Sequence, residues 1–132
     1  MKLQPDKSNA PMVRAYGDDG ITIDHQKHVQ SVLVSSLENM PTRAWGVHRF
    51  EDMGPEDLAA LATCGAELVI LGTGQRLRFT PPSWLQPFAE QRVGLETMDT
   101  SAACRTYNIL VSEGRKVIAA LLIETDSTNS AA

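Results

Sequence analysis

Hydrophobic positions along this chain change their spacing several times, and each spacing predicts a different element. Ile21-Thr22-Ile23 alternates, then meets the turn-like Asp24-His25-Gln26 and a second run carrying Val29, Val32 and Val34. That arrangement predicts an N-terminal antiparallel hairpin. Ala44-Trp45-Gly46-Val47, after Met40-Pro41, is a further strand candidate. Gly54-Pro55-Glu56-Asp57 opens a helix, with proline near the first position and acids where the helix dipole is positive. Leu58, Leu61 and Ala62 form its inward stripe, and Gly65 ends it. Glu67-Leu68-Val69-Ile70-Leu71 is continuously apolar after its first residue, the habit of a central strand covered on both faces. Arg76 to Phe79 reads as a short strand. Pro81-Pro82-Ser83 starts a helical segment that either kinks at Pro87 or begins near it. Gly94 to Met98 and Val117 to Ile123 are the remaining strand signals.

Between those last two strands lies the best-defined helix. Asp99, Thr100 and Ser101 can each cap its start, and Glu113-Gly114 supplies a residue free to take the left-handed conformation at its end. Ala103, Tyr107, Leu110 and Val111 fall at i, i+4, i+7 and i+8, one buried stripe. From Gly54 onward the order is helix, strand, helix, strand, helix, strand. This predicts an α/β domain over residues 16–125, with a largely parallel central sheet, helices on its faces, right-handed crossovers and an antiparallel N-terminal meander. Residues 1–15 and 126–132 show no periodicity and read as flexible tails.

Motifs narrow the picture further. Met98-Asp99-Thr100, then Ala102-Ala103-Cys104-Arg105-Thr106-Tyr107-Asn108, then Glu113-Gly114-Arg115 resemble the signature of the family that includes mitochondrial respiratory complex I assembly factor 3. Leu71-Gly72-Thr73-Gly74 resembles the family's second motif, and Trp45 stands where a family tryptophan is expected. The likeness runs from about Tyr16 to Glu124. It implies a three-layer α/β domain with a mixed central sheet and, more distantly, a protein that assists assembly by holding a protein partner, with respiratory-complex or membrane-insertion components as the expected class.

Composition sets outer limits. The chain has 132 residues, is 42% apolar and 21% charged, and carries a net charge of −4, which suits one globular core and argues against a nucleic-acid binder needing a basic face. No apolar run reaches the ~20 residues that span a bilayer. Cys64 and Cys104 are too few for a disulfide framework. The opening Met1 to Asp6 has neither an apolar secretory core nor a transit-peptide composition, so the expected location is a prokaryotic cytoplasm.

Candidate chemistry gathers at two places. Gly72-Thr73-Gly74 ends a predicted central strand, where α/β sheets put ligand crevices, but no phosphate-loop or dinucleotide fingerprint surrounds it. The helix start at Asp99, Thr100 and Arg105 offers N–H groups, hydroxyls and a cation to an anion, opposed by the negative charge of Asp99. Cys104 lies one turn into that helix beside Arg105, which favours thiolate. A base is needed as well, and His25, His28 and His48 all lie in the N-terminal third. Those histidines also lack metal-ligand spacing, and no cofactor motif is present. Trp45 and Trp84 suit either interface anchors or core edges. Two functions follow: a non-enzymatic protein-binding module, or a binder or enzyme for a small anionic ligand in a cleft between Gly72–Gly74 and Asp99–Arg105. Self-association is compatible with both.

Overall fold

A computed structural model of the chain describes residues 9–124; the expected tail at 126–132 and most of the N-terminal one lie outside the described residues. Strands β1 (Val13–Gly17), β2 (Gly20–Ile23) and β3 (Gln26–His28) form an antiparallel three-stranded sheet in sequence order. A second sheet has five strands, β4 (Val32–Ser35), β5 (Arg43–Ala44), β6 (Leu68–Gly72), β7 (Gly94–Met98) and β8 (Val117–Leu121), in the order β5-β4-β8-β6-β7. β6 pairs parallel with both β7 and β8, while β4 pairs antiparallel with β8 and β5. Helices α1 (Pro55–Ala59), α2 (Gln86–Gln91) and α3 (Thr100–Ser112) complete the frame.

Alternation along the central strands sorts their side chains to two cores. Val69 and Leu71 of β6, Ile118 and Ala120 of β8, and Leu33 of β4 face Leu58, Leu61 and Phe88 on the side of α1 and α2. Ile70, Val117, Ala119, Leu121, Val32 and Val34 face the opposite side, against Ala103, Cys104, Tyr107 and Val111 of α3 and Val13, Ile21 and Ile23 of the small sheet. Every residue of β4 and β8 is buried, which explains the unbroken apolar run of β8 and the three apolar residues that open β4. The expected three-layer arrangement is therefore present, with α3 and the small sheet sharing one layer.

Several local expectations are corrected. β2 pairs with Gln26–His28, not with the Val32–Val34 run, because Asp24 adopts a positive φ of 53° and turns the chain within two residues. Val32 and Val34 instead join the main sheet. Only Arg43 and Ala44 extend that sheet; Trp45 and Val47 leave it and bury themselves in the α1/α2 core. Arg76–Phe79 forms no strand. The helix expected over Gly54–Gly65 is a single α-turn continued as a 3-10 turn over Ala60–Thr63. α2 begins at Gln86 with Pro87 in its first turn, where its missing N–H costs nothing. Strand β1 starts at Val13, so ordered chain reaches into the stretch assigned to the N-terminal tail.

What lets α3 lie so close to the sheet is the absence of side chains. A Cβ on Gly72 would sit 3.0 Å from the Thr100 Cα and 3.1 Å from the Ala103 Cβ. Backbone atoms cannot swing aside as a flexible side chain would. Gly72→Ala is therefore expected to lower unfolding free energy by about 1–3 kcal/mol in urea titration, the range for overpacking a tight core. An unchanged midpoint would show that the helix has slack against β6.

Candidate functional site

At the carboxyl ends of the parallel strands, the chain brings Gly72, Thr73, Gly74 and Thr100 together, with Asp99 beside them. The bonds among them are internal. Thr100 Oγ1 accepts from the Gly74 N–H and donates to the Leu122 carbonyl, each at 2.8 Å, and the Thr100 N–H donates to the Gly74 carbonyl at 2.8 Å. The Thr73 N–H donates to the Met98 carbonyl at 2.9 Å. Asp99 Oδ1 caps α3 by accepting from the Ala102 N–H at 2.8 Å. The N–H groups of Thr73, Gly74, Thr100 and Ala102, which an anion would need, thus already have protein partners. A cavity of about 50 Å³, bordered by Tyr16, Gly74, Thr100 and Glu124, opens beside Thr100. It is too small for a metabolite.

Cys104 and Arg105 part company. Cys104 is fully buried among Val13, Ile21, Ile70 and Tyr107. Burial pushes its thiol up to about 12, and the nearby Arg105 cation offsets only part of that. Arg105 points outward and donates to the Tyr16 hydroxyl at 3.3 Å. Histidine does not approach the sulfur: His25 and His48 are exposed, and His28 lies on the edge strand β3. Among the described residues, no cluster of three potential metal ligands exists, and no helix is long and apolar enough to cross a membrane. Trp45 is a core residue and Trp84 packs half-buried against the same core.

Two groups of residues escaped sequence reasoning. Asn108 holds β1 by mimicking a strand: its Nδ2 donates to the Val13 carbonyl at 2.8 Å while its Oδ1 accepts from the Val13 N–H at 2.9 Å. Tyr107 donates its hydroxyl to the Pro11 carbonyl at 2.9 Å. A polar residue flanking the buried stripe was the available signal, but its partner lies 95 residues away in the chain. The second group is Arg78, Glu124 and Phe50. Arg78 Nη2 meets both Glu124 Oε1 and, at 2.6 Å, the Thr73 carbonyl, and its guanidinium lies 4.7 Å from the centre of the Phe50 ring. Glu124 Oε2 accepts from the Phe50 N–H at 2.7 Å. The alternation over Arg76–Phe79 pointed to a strand, not to a cation reaching back to Thr73 and Glu124.

A larger cleft, of about 860 Å³, opens at the opposite end of the sheet, between Ser35–Pro41, Cys64 and Gly114–Lys116. It contains none of the expected site residues. There Arg115 Nε donates to Glu67 Oε1 at 2.8 Å and the Lys116 N–H donates to Glu67 Oε2 at 3.0 Å, fastening the starts of β6 and β8. These bonds hold the Glu67 carboxyl below the usual range, the Lys116 amide contributing most and Arg115 next.

Fold and site together define a small three-layer α/β domain whose signature residues are turned inward, and comparison with known proteins places it. Residues 13–122 match the family described as protein of unknown function (DUF498/DUF598), and the chain belongs to that family. It is 29% identical over 123 residues to NADH dehydrogenase (ubiquinone) 1 alpha subcomplex assembly factor 3 of Xenopus tropicalis, covering 92% of this chain and 66% of that protein. The chain thus spans just under two thirds of that relative's length. An uncharacterized protein of Rhodobacter capsulatus is 31% identical over 121 residues, 90% of each chain. Among solved structures, a Bordetella parapertussis protein superposes with a TM-score of 0.80 at 35% identity, covering 87% of this chain and 97% of that one.

The buried thiol makes a prediction in pH. An unfolded cysteine ionises near pH ~8.5, so between that value and about 12 the unfolded chain releases its proton first and stability falls as pH rises. Going from about pH 7 to about pH 10, the wild-type chain should lose about 2 kcal/mol more unfolding free energy than Cys104→Ala. Equal losses in the two proteins would mean that Cys104 ionises as freely folded as unfolded.

Proposed function

We propose that this chain is a non-enzymatic protein-binding module that assists the assembly of a larger complex, of which respiratory complex I is the leading example. Relatives named as a complex I assembly factor support the class of role. The observation that carries the reading is a contrast between inside and outside. The signature residues Asp99, Thr100, Cys104, Tyr107 and Asn108 are engaged in capping, packing and backbone clamps. Meanwhile Leu77, Phe79 and Leu85, with 48, 71 and 45% of their surface exposed, stand on the segment between β6 and α2, which ends in a 3-10 helix over Pro82–Leu85. Large apolar side chains left exposed along one short stretch of chain suit burial by a partner surface, and an aromatic among them is the usual anchor. Arg78 stiffens that loop from beneath through Thr73 and Glu124, which lowers the ordering cost of binding.

Affinity purification of the tagged protein from its own host tests this reading. Respiratory-complex subunits or assembly and insertion proteins should be recovered with the wild-type chain. Recovery should fall about tenfold or more when Leu77 and Phe79 are both changed to serine. Because both side chains are exposed, that variant should keep its unfolding free energy within about 0.5 kcal/mol. A monomer that brings down no protein partner, or one carrying a bound metabolite, would contradict the assignment.

A further inference from the structure

The central sheet ends differently on its two sides. β5 is two residues long, too short to template another strand, whereas β7 runs for five residues and, among the described residues, has β6 as its single neighbour. The Gly94 N–H donates to Glu67 and the Met98 carbonyl accepts from Thr73, so Gly94, Glu96 and Met98 turn their backbone groups toward β6. In an extended strand the intervening residues point the other way. Leu95 and Thr97 therefore present two N–H and two C=O groups outward, and no other segment among the described residues bonds them. Such an edge is a template for a further strand.

We propose that β7 is a docking edge that receives an extended segment of a partner protein as a sixth strand, with a lysine or arginine of that segment opposite Glu96. The proposal rests on the protein-binding reading and specifies how the partner is held. Charge selects the occupant. A second copy pairing β7 with β7 about a two-fold axis reaches full overlap only when centred on Glu96, which sets that exposed carboxylate directly against its own copy. Like charges directly opposite destabilise a strand pair. A cation at the same position turns repulsion into attraction, so Glu96 rejects self-pairing and favours a basic strand from another protein.

The probe is a short synthetic strand, Thr-Val-Thr-Lys-Thr-Val-Thr, and the readout is the amide spectrum of the 15N-labelled chain. Millimolar peptide should shift the Leu95 and Thr97 amides and slow their exchange with solvent. Replacing the peptide lysine by glutamate should weaken binding about fivefold, and Glu96→Lys should reverse that preference. Thr97→Pro, which deletes one outward N–H at a position where an edge strand tolerates proline, should abolish the response. Unmoved Leu95 and Thr97 amides, or indifference to the Glu96 exchange, would overturn the proposal. So would concentration-dependent shifts of these amides without peptide, which would make a second copy the occupant. Shifts confined to Leu77, Phe79 and Leu85 would refute the edge and leave the protein-binding reading intact. That reading fails separately, by the absence of any partner in the host purification.

Discussion

The close approach of α3 to the end of β6 is the constraint on which the rest of this fold depends. It exists because Gly72 offers no side chain and Ala103 and Ala119 offer only a methyl each. Only at that separation can the Thr100 hydroxyl bridge Gly74 to Leu122 and so tie the exits of β6 and β8 to the first helical turn. With the helix fixed there, its next turns carry Tyr107 and Asn108 to the backbone of Pro11 and Val13, and the three-stranded sheet is hung from the helix's other flank. Each connection uses a backbone group as partner. A side-chain amide or hydroxyl holding a buried main-chain group is worth more than its own bond, because removal leaves that group unsatisfied.

This chain of dependence accounts for the signature run. Alanines permit the approach, the threonine fastens it, the cysteine fills a small apolar site, and the tyrosine and asparagine recruit the N-terminal sheet. Nothing in the arrangement asks Cys104 to react: it has no base beside it, and its surroundings favour the neutral thiol. Polar capacity at the strand ends is likewise spent within the protein. What the fold leaves unspent lies on its periphery, in an apolar loop and an open strand edge. Both suit recognition of another chain better than chemistry on a small molecule.

Spacing made a central sheet with helices on its faces legible. The mixed pairing of that sheet, two parallel and two antiparallel contacts, was what the family resemblance implied and not the largely parallel sheet that element order suggested. Continuous apolarity in β6 and β8 announced strands covered on both faces, and the stripe at Ala103, Tyr107, Leu110 and Val111 marked the inner face of α3, with Leu110 only partly buried at its margin. Expectations failed where a tertiary partner outweighed a local preference. Val32 and Val34 could have completed a hairpin, but the turn at Asp24 had already matched Gln26–His28 to β2, freeing them for β8. Arg76–Phe79 alternates like a strand yet is drawn into a loop by Arg78 reaching Thr73 and Glu124. Within the site, the capping role of Asp99 was readable from residue type and position. The clamps by Tyr107 and Asn108 were not, since their partners sit nearly the whole chain length away.

Whether the signature run serves the fold or a reaction is tested most directly by the accessibility of one sulfur. Native-state labelling of Cys104 with a thiol reagent, in a Cys64→Ser background, compares its reaction rate with the free energy of global unfolding. The fold-serving account predicts that labelling occurs only through unfolding, its denaturant dependence following that of the equilibrium transition. Rapid modification of the folded protein at neutral pH, as from an exposed thiolate, would contradict it.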